Sequence, residues 1–418
     1  MREQDTDTPA TDRDTLTVVH SAAELVVGPD DDIGVDVVED GAFAAVDGTV
    51  VAVGSTPDVI AEYPLAEADS TVDAAGQTVL PGFVDPHTHA LFAGDRSDEF
   101  VAKLRGATYE EILADGGGIL RTVDAVREAS DDELVSNLTA HLDVMLAHGT
   151  TTVEVKTGYG LDTETELRML DAIDRAGADH PVDVVPTFMG AHAVPRGMDT
   201  DDYVDDVVTE QLPAVAEQGI AEFCDVFCER GVFDAEQSRR ILEAGREFGL
   251  TPKIHADEFA AIGGTDVAAD VGAASADHLL HTDATGRETL VEAGVTPVVL
   301  PGTAFGLGAA YADARAFLDA GHEIALATDF NPNCFARSMG FVATLASVGM
   351  RMTPHEAIRG ITSAAANAVG RTDGTGTLRP GSPADAAVLD VPSATHLSYR
   401  FDTNPVSSVL KSGVVVHA

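Results

Sequence analysis

Residues 79–96 read VLPGFVDPHTHALFAGDR: an apolar run, then two histidines one residue apart, with Asp85 two positions before the first. On an extended segment residues i and i+2 face the same way, so His87 and His89 present their imidazoles together. That geometry suits two ligands of one metal ion, and the remaining ligands must come from further along the chain. Where they come from depends on what repeats after this stretch.

What repeats is a short apolar strand followed by a longer helical segment, the mark of βα units carrying a parallel sheet. The strand candidates are VLPGFVDPHTH (79–89), GTTTVEVKTG (149–158), VDVVPTFMGAH (182–192), EFCDVFCERG (222–231), TPKIHADE (251–258), SADHLLH (275–281), TPVVLPG (296–302) and EIALATDFNP (323–332). Eight parallel strands with helices between them specify an α/β fold, a (β/α)8 TIM-like barrel. The helix signals agree. In SDDELVSNLTAHLDVMLAHG, residues 130–149, Ser130 can cap and three acids fill the first turn. Leu134, Leu138, Leu142 and Leu146 form one stripe, and Gly149 ends the helix.

The two chain ends have a different texture, rich in β-branched residues and broken by Gly and Asp, as in TLTVVHSAAELVV (15–27) and NPVSSVLKSGVVV (404–416). Neither end has strands enough to stand alone, so together they are expected to form a small β-sandwich beside the barrel. The expected division is an acidic disordered tail over 1–14, sandwich over 15–78, barrel over 79–375 and the return of the sandwich over 376–418.

The chain has 418 residues, 44% of them apolar, and a net charge of -45. The apolar fraction is that of a folded protein with a large core, so the acids are read as a solvated surface suited to a salt-rich cytoplasm. There, screening reaches only about 3 Å at molar salt. Such a surface opposes nucleic acid and anionic membranes. Four lysines (Lys103, Lys156, Lys253, Lys411) and three cysteines (Cys224, Cys228, Cys334) are present. An odd number of cysteines with no disulfide-like spacing, no signal peptide and no bilayer-length apolar run point to a cytoplasmic protein.

In a barrel of this kind, polar residues at the C-terminal ends of strands face the active-site mouth. Those ends carry His87 and His89, then Glu154 to Tyr159 (Lys156 among them), His192, Cys228, Glu229, His255, His278 and Asp329. His87, His89, His255 and Asp329 offer three nitrogens and one carboxylate oxygen, leaving a place for water, as in a catalytic zinc-like site.

On these residues the sequence resembles the amidohydrolase superfamily, through LPGFVDPHTH and GSPADAAVLD. Within it the sequence is most similar to the imidazolonepropionase family, through HTHALFAGDR, GGGILRTVDAVREAS, EVKTGYGLD, FMGAHAVP, HADEF and TDFNP. The resemblance implies hydrolysis of the cyclic amide 4-imidazolone-5-propanoate to N-formimidoyl-L-glutamate in histidine degradation. It also implies a small-molecule substrate and a homodimer. The expected cofactor is one Zn2+ or Fe3+ per subunit; the ligand types accept either. Asp329 is then both ligand and proton acceptor, Glu258 a proton shuttle or ring contact, and His278 an oxyanion stabiliser.

The substrate carries a carboxylate, so its pocket needs a cation, and Arg96 can bind it bidentately. In the resembling family the matching arginine does so, and the positions of Tyr159 and His192 also contact substrate. Asn331 carries over as a contact, whereas Asn333 and Cys334 depart from the small residues usual there and carry over by position only. Tyr109 is expected near the same pocket, and Gly116, Gly117 and Gly118 in a loop closing over it. Binuclear relatives have a carboxylated lysine ending the fourth strand; here DVFCERG argues for one metal, with Glu229 leaving a weak second site open. The rival readings are a guanine- or cytosine-type deaminase, which would not require Arg96, and a non-catalytic scaffold on the same fold.

Overall fold

A computed structural model describes residues 14–107, 111–112 and 116–418; Tyr109 and the N-terminal stretch before Asp14 lie outside the described residues. The barrel strands are Phe83–Asp85, Thr150–Lys156, Asp183–Ala191, Phe223–Cys228, Thr251–Ala256, Ser275–His278, Thr296–Val299 and Ala325–Leu326. They lie side by side in chain order, each parallel to the next. All eight sequence candidates are therefore barrel strands. The circle closes where the chain leaves the first and last of them. The His89 amide donates to the Phe330 carbonyl at 2.9 Å and the Asp329 amide to the His87 carbonyl at 3.2 Å. Asp85 explains itself here. Its carboxylate accepts from the Thr328 amide (3.1 Å) and hydroxyl (2.6 Å), fastening the seam.

The helices form the outer layer. In Asp131–Ala147, Ser130 accepts from the Glu133 amide, and Leu134, Leu138 and Leu142 are wholly buried. Burial of each such leucine stabilises by roughly 1.5–3 kcal/mol. Among the described residues no helix is long and apolar enough to cross a membrane.

The chain ends build a second eight-stranded sheet. Its path runs Val414–His417, Val406–Lys411, Ala386–Leu389, Thr78–Pro81, Leu16–Pro29, Val35–Val46 and Thr49–Ser55, with Ser70–Asp73 pairing alongside Leu16–Pro29. Val19, Leu25, Phe43, Val79, Val388 and Leu410 form its own apolar core. The opening stretch, read as one strand, serves both sheets. Thr78–Pro81 pairs with the chain ends and Phe83–Asp85 with the barrel. Gly82 makes the hand-over, because a Cβ there would lie 2.2 Å from Thr151 Oγ1.

Candidate metal and substrate site

Four strand ends bring the chelating side chains together. His87 and His89 follow the first strand, His255 lies on the fifth, His278 ends the sixth and Asp329 follows the eighth. Asp329 Oδ1 is 3.7 Å from His87 Nε2 and 3.8 Å from His89 Nε2, and the Nε2 atoms of His89 and His255 are 3.3 Å apart. Two overlapping groups have ligand atoms within 4.8 Å of one another: His87, His255 and His278, and His87, His89 and Asp329. His278 and Asp329 have φ of +81° and +50°, a left-handed backbone that side-chain-bearing residues seldom adopt. Strain of this kind collects at functional sites.

These residues fit a metal ion. His87 Nδ1 is bonded to Asp277 and His255 Nδ1 to Asp225 (2.6 and 3.1 Å). A carboxylate accepts, so each Nδ1 donates and each Nε2 keeps its lone pair for the centre of the cluster. His87 Nε2 and both nitrogens of His278 are buried with no hydrogen-bond partner. Leaving such groups unmet costs about 1–3 kcal/mol apiece; a cation would meet the His87 lone pair, while the single N–H of neutral His278 is a donor that only an acceptor such as a substrate oxygen would meet. Burial and nearby cations also hold His87, His89 and His278 well below the usual imidazole range, so they are neutral, the ligating form.

Burial raises Asp329 despite the Thr303 hydroxyl bonded to its Oδ2 at 2.5 Å. Glu258 is pushed well above the carboxylate range by burial, Asp329 and Glu229, and stands 3.8 Å from His278 Nε2. Glu229 is committed elsewhere. Its Oε2 accepts from the amides of Phe259 (2.8 Å) and Ala260 (3.3 Å), pinning the loop that carries Glu258.

Beside the cluster opens a cavity of about 690 Å³, lined among others by His89, Arg96, Lys103, Tyr159, His192 and Glu258. His192 stacks on His89 with ring centres 4.6 Å apart, and burial lowers its pKa to about 3. Tyr159 is 2% exposed. Arg96 uses Nε and one Nη2 hydrogen to hold Glu99 (3.0 and 2.8 Å), and among the described residues its outer Nη1–Nη2 edge meets no other partner and can face a carboxylate end-on. Glu99 also accepts from the Gly118 amide at 2.9 Å, tying Arg96 to the glycine loop. Asn331 and Asn333 line the cavity, but Cys334 does not; its thiol turns towards the Thr328 carbonyl. The Asn331 side chain donates to Asp329 and accepts from the amides of Asn333 and Cys334.

The amidohydrolase family model matches residues 78–416. The chain belongs to the amidohydrolase family. It is 67% identical over 400 residues to the imidazolonepropionase of Haloarcula marismortui, covering 96% of this chain and 95% of that one. It is 63% identical over 407 residues to the imidazolonepropionase of Halobacterium salinarum, covering 95% and 97%. A triazine hydrolase variant of known structure, 19% identical, shares the fold with a TM-score of 0.76 over 96% of this chain and 94% of that one. This amidohydrolase is thus a hydrolase of the small-molecule class, and its His/Asp cluster has the donor set for a divalent ion.

Sequence reading placed Lys156 at a strand end facing the mouth but gave it no role, and it missed Asp225, Asp277 and the reach of Lys103. Lys156, Asp225 and Asp277 are wholly buried behind the histidines, and Lys103 reaches the cavity to bond Asn333. The first three did leave a signal, namely charged residues inside strands whose neighbours are apolar.

Proposed function

We propose that this amidohydrolase opens the ring of 4-imidazolone-5-propanoate by adding water, giving N-formimidoyl-L-glutamate. The observation that carries the reading is a cation pair in one cavity with the His/Asp cluster: Arg96 and Lys103, on a chain of net charge -45. A neutral nucleobase can offer this pair hydrogen-bond acceptors but no charge to neutralise, whereas a propanoate carboxylate meets it with a full opposite charge, which disfavours the deaminase reading. The name borne by relatives above 60% identity supports the same choice.

The residues divide the work. Arg96, helped by Lys103, holds the propanoate carboxylate, while Tyr159 and His192 orient the ring. His87, His89, His255 and Asp329 would hold one zinc or iron ion, which when bound supplies Lewis acidity and brings the pKa of water down to about 7. Asp329 takes the proton of the attacking water. His278 donates to the oxygen on which charge develops. Glu258, kept protonated by burial, delivers a proton to the departing ring nitrogen. The same reading makes the enzyme a cytoplasmic homodimer. Three unpaired cysteines support the compartment. Exposed Phe305, Phe341, Tyr399 and Phe401 supply apolar surface for a second copy.

An ultraviolet assay of imidazolone propanoate loss, run beside guanine and cytosine, tests the choice of substrate. Arg96→Ala should lose about 2–3 kcal/mol of binding, or roughly 30- to 150-fold in kcat/KM, mainly through KM. Unchanged kinetics would discard the carboxylate clamp.

A further inference from the structure

Lys156 ends the second barrel strand wholly buried, and no step above uses it. Its ammonium donates to Glu154 Oε1 at 2.6 Å and Asp225 Oδ2 at 2.7 Å, and lies 3.9 Å from Asp277 Oδ2. Both aspartates face a histidine of the cluster. Asp277 Oδ2 is 2.6 Å from His87 Nδ1, and Asp225 Oδ1 is 3.1 Å from His255 Nδ1. One ammonium therefore ties together the carboxylates that orient imidazoles from the first and fifth strands. Hydroxyls complete the frame: Ser275 donates to Asp277 Oδ1 at 2.6 Å and Thr187 to Glu154 Oε1 at 2.5 Å.

The cation is needed because the carboxylates share a dry interior. Unscreened there, like charges repel several-fold more strongly than at the surface. Removing one partner from such a buried group leaves its neighbours uncompensated. Buried Lys253 also acts on Asp277, but among the described residues Asp225 has its hydrogen-bonded cation in Lys156 alone. Without that ammonium Asp225 would be pushed away from Asp277 and would carry the Nδ1 atom of His255 with it, loosening the His87 contact of Asp277 in turn. We propose that Lys156 is a positioning residue of the metal centre: by holding Asp225 and Asp277 in place it fixes the Nδ1–H tautomers of His255 and His87 and aims both Nε2 atoms at one ion. Lys156 is not itself a ligand, since an ammonium has no lone pair to offer and two of its hydrogens bond carboxylates. The inference rests on the metal-site reading and is independent of which substrate is hydrolysed.

The test uses metal-stripped full-length protein and zinc(II) alone, with affinity read by competition against a chromophoric chelator. Lys156→Met, Asp225→Asn and Asp277→Asn should each weaken zinc binding by about 10- to 100-fold, the usual cost of losing a group that orients a ligand. Lys156→Met should at least match Asp277→Asn, because it removes the hydrogen-bonded partner of Asp225 and the ion pair to Asp277 together. Its cobalt(II) form should show an altered visible spectrum. A folded Lys156→Met protein with wild-type zinc affinity and cobalt spectrum would overturn the proposal, even if its melting temperature fell. Where that variant does not fold, Lys156→Met/Asp225→Asn is compared with Asp225→Asn. Weaker zinc binding in the double variant supports the proposal, and equal binding overturns it. No substrate enters these measurements, so inactivity on imidazolone propanoate would leave their result standing.

Discussion

An imidazole serves a metal only while it is neutral, and burial keeps His87 and His89 in that state, as it does their neighbour His278. The same burial acts in the opposite sense on thiols. It raises all three cysteines, Cys228 to about 11, because the thiolate is the charged form. At pH 8 roughly one Cys228 in a thousand is then ionised. Iodoacetamide at pH 8 should therefore label none of the three in the native protein and all three after unfolding, as mass spectrometry would show. Rapid labelling of Cys334 alone would mark it as a reactive nucleophile and contradict its place against the Thr328 carbonyl. The cluster histidines were legible because a side chain at a barrel strand's C-terminal end has one direction to point. The pairing of Lys156 with Asp225 was not, since the two lie 69 residues apart on different strands and no local pattern encodes their contact.

At the scale of elements, the barrel begins at a seam rather than at a strand. Asp85 bonds Thr328 across 243 residues, and Gly82 lets the chain pass Thr151 on its way from one sheet to the other. Gly82→Ala would press a methyl group into Thr151 and should destabilise by about 1–3 kcal/mol, as overpacking does. Thr151→Ala should restore part of that loss. Urea denaturation measures both; a Gly82→Ala protein as stable as wild type would remove the steric reason for the hand-over. The eight strands were readable from apolar runs and spacing. The division at Gly82 was not, because VLPGFVD has the same buried pattern on both sides of the glycine.

Across the whole molecule, the two kinds of cation are placed differently. The surface is carboxylate and arginine, while the lysines turn inward. Lys156 and Lys253 are wholly buried, Lys411 is 12% exposed and tied to Asp183 and Asp385, and Lys103 reaches the cavity. The extreme charge was plain from composition; this sorting was not, since composition carries no depth. The barrel core is closed by apolar packing and seam hydrogen bonds, so it does not depend on an ion, whereas the orphaned imidazole nitrogens at its mouth do. The central claim is that His87, His89, His255 and Asp329 meet around one ion that hydrolysis requires. It is tested most directly by adding zinc or iron stepwise to metal-stripped protein while following imidazolone propanoate loss and the circular dichroism spectrum. The account predicts no turnover without metal, a native spectrum throughout, and activity that saturates at one ion per chain. Full activity in verified metal-free protein would contradict it.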